Sequence, residues 1–352
     1  MSNFLENKNI IKENNNNNKI KETDVDKKLL NKWLNIFKLT GRELRKSLKQ
    51  VNLNEKTSLN QNIFHFACSE CNKGAITELS TLVTKENNNI LNEIDNKNNW
   101  PPIFYLLINS DNGEPEIFSH LLKINNIDIT YKDKNNITLL HIAAFKGEDE
   151  IVEILINNNN IFDTINIKDI YGRFPINYSI IEGQINSFLF LLPKTDINTV
   201  DINNNNLLHY AVNSKGNGLL FTLKLIEKKI DINYINNNGD SPIMLIAKNN
   251  PKENIRLLLL LLKNNANVNN INKEGQSFYS IMGEQAIKNH FGRNDIKIDY
   301  ENKKIVEKIK NYISINNNNI NIKNNYNNNI LKNKIIFFGI PFIILLLSYI
   351  IK

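Results

Sequence analysis

Large apolar residues return along this chain at nearly even intervals, each opening a short run that is apolar on a helical period. Aligning them gives Phe64, Ile103, Leu140, Ile176, Leu208, Ile243 and Tyr279, with successive spacings of 39, 37, 36, 32, 35 and 36 residues. A second apolar run follows in the better copies: Ile151, Val152, Ile154 and Leu155; Phe188, Phe190 and Leu191; Leu257 to Leu262. Polar stretches rich in Asp, Asn and Gly separate the runs. Two short helices per unit, repeated at a spacing of roughly 35 residues, predict an all-α stacked array rather than a closed globule. Such an array has no deep pocket by construction and offers a surface for other proteins.

The start and stop signals agree with that reading. Thr138 and Ser241 stand where a side-chain oxygen can cap free backbone N–H groups, and Pro242 suits the first helical position. The first helix of the best copy then runs through Leu140, His141, Ile142, Ala143 and Ala144. Gly147 and Gly183 fall where a helix stops in a left-handed conformation. Extended refrains such as Asp196-Ile197-Asn198 and Asp231-Ile232-Asn233 close the units.

From Asp133 to about Asn272 these features together resemble the ankyrin repeat family, and the resemblance spans roughly residues 59–292. Copies differ from the family pattern: Leu139 and Leu207 replace its proline, and Asn177 and Met244 its histidine. The resemblance implies a solenoid of about six to seven degenerate helix-pair repeats, with projecting hairpins and a concave face that binds partner proteins. By register with the family's contact positions, the partner-binding residues are Lys134, Phe145, Lys146, Ile170, Tyr171, Arg173, Ile181 and Glu182. Tyr and Arg are frequent hot-spot types, whereas Ile170 and Phe145 could instead fill gaps between units. The resemblance also assigns His65, His141 and His209 a structural role, hydrogen-bonded to the threonine slot and neighbouring backbone.

Candidate chemistry is thin. His65, Cys68 and Cys71 are spaced three apart, but a tetrahedral zinc site needs four ligands or three plus water, and no second ligand pair follows. Glycines occur singly, so no phosphate loop is present. No catalysis, metal or cofactor is expected. Two cysteines in 352 residues form no disulfide framework and fit a reducing compartment. The net charge of +7 divides unevenly: 13 basic against 7 acidic residues over 1–58, 20 against 25 over 59–292, and 10 against 4 over 293–352. Basic ends around an acidic body argue against nucleic acid, which favours a basic face on the array itself.

The flanks complete the expected organisation. Residues 1–25 read as disordered and Asn/Lys-rich, with no signal peptide, and asparagine runs such as Asn157–Asn160 and Asn203–Asn206 as loops. Residues 26–58 read as an N-terminal helical cap, with Leu29, Trp33, Phe37, Leu44 and Leu48 near helical spacing across one helix from Asp26 to Asn52 and Leu39 off the stripe. Its lysines and arginines also allow a membrane-surface or partner helix. Stacked units at about 10 Å each would set it some 60–70 Å from the other end, which favours the cap. Residues 293–334 read as a linker with a short helix and an Asn-rich tether.

Residues 335–351 form an uncharged apolar run of membrane length, reaching about 25 Å. The positive-inside rule then puts the repeats in the cytosol. Together these features resemble a tail-anchored, single-pass arrangement, and they predict a non-catalytic adaptor that recruits an unidentified protein to an intracellular membrane. The rival expectation is a soluble ankyrin-type inhibitor or chaperone-like binder whose C-terminal helix packs on its own array.

Overall fold

The computed structural model describes residues 23–282, apart from 85–87, 111–113, 125–126, 159–163 and 250–253. The expected linker and the apolar run 335–351 lie outside the described residues. Among the described residues the regular structure is helical, with only isolated bridges such as that between Ile271 and Ser277. No helix among them is long and apolar enough to cross a membrane. The described residues divide into two compact units, one up to residue 202 with 214–221 and the other 203–213 with those from 222 on.

The first unit opens with α1 (Asp24–Phe37) and α2 (Gly41–Leu48). Four helix pairs follow: α3 (Ile63–Ser69) with α4 (Lys73–Ser80), α5 (Pro102–Asn109) with α6 (Pro115–Leu122), α7 (Leu139–Lys146) with α8 (Asp149–Ile156), and α9 (Pro175–Glu182) with α10 (Ile185–Leu191). First helices pack on first helices in chain order, α3 on α5, α5 on α7 and α7 on α9, and second helices do likewise. The second unit holds α11 (Leu207–Ala211), α13 (Pro242–Lys248) and α14 (Ile255–Lys263), while α12 (Gly218–Glu227) crosses the division.

The residues picked out by spacing are the buried ones. Phe64, Ile103, Leu140 and Ile176 in the first unit, and Leu208 and Ile243 in the second, are buried, each in the second position of its helix. Tyr279 is half-buried, and Phe278 beside it takes the core position.

Asparagine contributes more than dilution. The residue two before each first-helix cap has positive φ: Asn60, Asn99, Asn136, Gly172, Asn204, Gly239 and Gly275. Glycine and asparagine are the two residues that visit this region at low cost, so they alternate in the slot. The run Asn203–Asn206 is therefore a built turn: Asn204 supplies the left-handed residue, and Asn206 caps α11 by accepting from the N–H groups of Leu208 and His209.

Thr138 caps α7 as expected. Ser241 does not cap α13; its Oγ is buried and meets no hydrogen-bond partner, and nothing nearby explains the choice. The expected single N-terminal helix is two, interrupted at Lys38–Thr40, and Gly41 restarts the chain at φ +52°. Leu39, out of step with the apolar stripe, marks the break. α1 also starts earlier than expected, because Thr23 and Asp26 form a reciprocal cap. The apolar side of both helices closes the end of the stack. Trp33 and Phe37 face Phe66 at 6.0 and 5.6 Å between ring centroids, and Leu44 and Leu48 are buried. Asp26 ties this cap to the first hairpin by accepting from the Ser58 N–H at 2.7 Å and hydroxyl at 2.6 Å, bonds that hold its carboxyl well below the usual range.

Candidate functional site

The first unit positions its surface through three kinds of cross-repeat bond. Histidines make the first kind. His141 Nδ1 accepts from the Thr138 N–H at 3.2 Å, while Nε2 reaches the Arg173 carbonyl of the next repeat at 3.3 Å. His65 does the same between Asn62 and the Trp100 carbonyl, and His209, in the second unit, between Asn206 and the Asp240 carbonyl. Both ring nitrogens of His65 are thus engaged, and burial pushes the Cys68 thiol pKa up, so the His65–Cys68–Cys71 spacing makes packing rather than ligands. Among the described residues no cluster of such side chains is placed to hold a metal.

Helix ends make the second kind. The last carbonyls of a helix lack partners within it and carry partial negative charge. Lys146 Nζ donates to the carbonyls of Leu107 at 2.9 Å, Ile108 at 3.2 Å and Ser110, at the end of α5, and pairs with Glu148 at 3.2 Å. Gln184 caps α7 through the Lys146 carbonyl at 3.2 Å, and Asn217 caps α9 through that of Gly183 at 2.7 Å.

Hairpins make the third kind. The Asn96 N–H donates to the Leu59 carbonyl, that of Ile170 to Asn135, and that of Ile202 to Tyr171, at 2.8 to 3.1 Å. Successive hairpins are joined backbone to backbone, which holds their tips in a fixed row. The row reads Lys134, Ile170, Ile202, each immediately after an aspartate (Asp133, Asp169, Asp201). Lys134 is exposed and makes no ion pair with a described residue. Ile170 and Ile202 are 47% and 57% exposed, although most large apolar residues of the unit are buried.

The remaining expected contact residues are placed differently. Arg173 is 5% exposed: its guanidinium grips Asp169 at 2.7 Å through both Nε and a terminal nitrogen and lies between the rings of Tyr171 at 4.6 Å and Tyr178 at 4.9 Å. Tyr178 donates to the same carboxylate at 2.7 Å, closing a buried network. Tyr171 is half-buried, holding Arg173 from the outside. Ile181 is buried in α9, and Glu182 is half-buried and pairs with Lys215. Phe145 is half-buried with its ring edge on Tyr178, and Lys146 is occupied as the α5 cap. Ile202 was not among the expected residues, although its place after Asp201 repeats the pattern of Lys134 and Ile170.

Residues 106–206 match the family model for ankyrin repeats, in three copies. Over 121 residues the chain is 29% identical to the transient receptor potential cation channel subfamily A member 1 of Homo sapiens and 27% identical to the B-cell lymphoma 3 protein homolog of Mus musculus. Each alignment covers 34% of this chain, but only 11% and 26% of those proteins. Among solved structures, the ankyrin repeat domain of Bcl-3, a member of the IkappaB protein family, superposes with a TM-score of 0.51 at 18% identity, covering 62% of this chain and 92% of that domain. The chain contains ankyrin repeats, and its fold is the all-helical one of such a domain, a fold typical of non-catalytic protein interaction.

Proposed function

We propose that this chain is a membrane-anchored adaptor that faces the cytosol and holds a partner protein on the hairpin row Lys134, Ile170 and Ile202. The exposed isoleucine pair carries the reading. Two large apolar side chains stand in water on a hydrogen-bonded backbone, beside a cation that makes no ion pair with a described residue, and an interface core is built from such rigid apolar anchors. Tyr171 supports the row from below. The buried Arg173 and Ile181 set its geometry rather than touch the partner.

The anchor in this proposal is residues 335–351, which carry no charge and follow Lys332 and Lys334. The thirteen Ile, Leu and Phe residues of this run favour insertion by ~4–8 kcal/mol. Confinement to a surface raises the partner's effective concentration, so the adaptor acts by localisation without chemistry.

Proximity labelling from an N-terminal fusion tests the row. K134E/I170S/I202S should lose the enriched partner while its thermal unfolding stays unchanged; an identical labelled set would overturn the proposal. Alkaline carbonate tests the anchor separately, since release of the intact chain into the supernatant would remove it.

A further inference from the structure

The N-terminal cap uses one side of its helices and leaves the other bare. Leu44 and Leu48 of α2 face inward and are buried. On the opposite side Arg45, Lys46 and Lys49 lie three, four and seven residues after Arg42, a single helical face. All four are exposed, and so is Lys38 at the end of α1. Arg45 is engaged with Glu78 at 2.7 and 2.8 Å. Lys38, Arg42, Lys46 and Lys49 make no ion pair with a described residue, although Lys49 lies in the field of Glu78.

We infer that this face is a docking site for an anionic lipid surface, formed by Lys38, Arg42, Lys46 and Lys49. Charge complementarity selects an anionic occupant, and the missing anchor selects lipid over protein. From residue 23 to 58 the only large apolar side chain exposed is Val25, at the far end of α1. A protein partner needs a desolvated apolar or aromatic centre, whereas clustered cations are sufficient for anionic headgroups. The apolar side of the cap is consumed by the stack, so the contact is electrostatic and shallow, without a wedge in the acyl region. Each cation near such a surface is worth about fivefold in occupancy. The 52 residues from 283 to 334 could span at most ~180 Å, so an anchor beyond them leaves the cap free to reach the bilayer. The inference does not depend on that anchor.

The full-length chain, reconstituted with phosphatidylcholine vesicles or with vesicles carrying about 30% phosphatidylserine, tests it by flotation and lysine acetylation footprinting. Lys38, Lys46 and Lys49 should label several-fold more slowly on the anionic vesicles. About 0.5 M salt should remove the protection, and Lys134 should label equally on both. In R42E/K49E the protection of Lys38 should disappear. Flotation with anionic vesicles alone would support the cap and count against the anchor at 335–351. Flotation with both, but with equal labelling, would leave the anchor standing and overturn the cap. Protection by polyglutamate without protection by phosphatidylserine would overturn it in favour of an acidic protein, and flotation with neither vesicle would also refute it.

Discussion

Acid should loosen this protein through histidines whose burial opposes a second proton. His141 is fully buried, and Nδ1 already accepts from the Thr138 N–H, so the neutral ring carries its hydrogen on Nε2 and donates it to the Arg173 carbonyl. A second proton would sit on Nδ1, between the Thr138 N–H at 3.2 Å and the Thr138 hydroxyl at 2.8 Å, in a site closed to water. Burial pushes the pKa from 6.5 down to about 4, against the opposing pull of the Asp169 carboxylate. The unfolded chain therefore binds a proton between pH 6.5 and about 4 that the folded chain refuses. Stability is complete above the unfolded pKa and lost as pH falls through this window, by about 3 kcal/mol for this one residue. His65 shifts in the same direction for the same reason. Burial raises the pKa values of Asp133 and Glu148, which pushes stability the other way, so a variant comparison is needed. H141N supplies it, because Asn177 fills the equivalent slot in the next repeat and accepts from the Phe174 N–H at 2.9 Å. Urea titrations followed by circular dichroism should show H141N about 1 kcal/mol or more weaker at neutral pH, with a flatter loss toward acid. Parallel pH dependence in the two proteins would refute the reasoning.

Other substitutions probe the remaining contacts by thermal or urea unfolding. N136V should cost roughly 1–2 kcal/mol, because a β-branched residue resists the φ of +58°, whereas N136G should be close to neutral; equal effects would show that the turn is not constrained. In G172A the new Cβ would meet the Ile202 backbone nitrogen at 2.9 Å as well as occupying φ +76°, so a larger loss than for N136V is expected, and an unchanged midpoint would contradict the hairpin packing. R173M removes one partner of a buried pair and leaves the Asp169 charge uncompensated, a loss of about 3–5 kcal/mol, while a loss under ~1 kcal/mol would mean the network is dispensable.

What could be read from the chain was whatever repeats. Leu140, Ile176, Leu208 and Ile243 are buried at matching positions because a helix pair satisfies its apolar side only against the next pair. Gly147 and Gly183 end α7 and α9 in the left-handed conformation for the reason glycine usually does. What escaped depended on where long side chains turn. Lys146 looks like a surface cation in sequence, yet the carbonyls it caps lie about a repeat earlier. Arg173 looks like a hot spot, but Asp169 four residues before it and Tyr178 five after it draw it inward. The left-handed asparagines were hidden by abundance, since a run such as Asn203–Asn206 does not announce which member makes the turn. Trp33, Phe37, Leu44 and Leu48 are buried as their spacing suggests, whereas the single helix expected there is broken beside the one leucine out of phase.

Photo-crosslinking from the hairpin row addresses the central claim most directly. A crosslinking amino acid at position 170 or 202 of the membrane-bound chain should capture one and the same protein, and the same probe at Glu150 on the outer helix α8 should not. Capture from position 150 with none from 170 and 202 would contradict recognition through the hairpin tips.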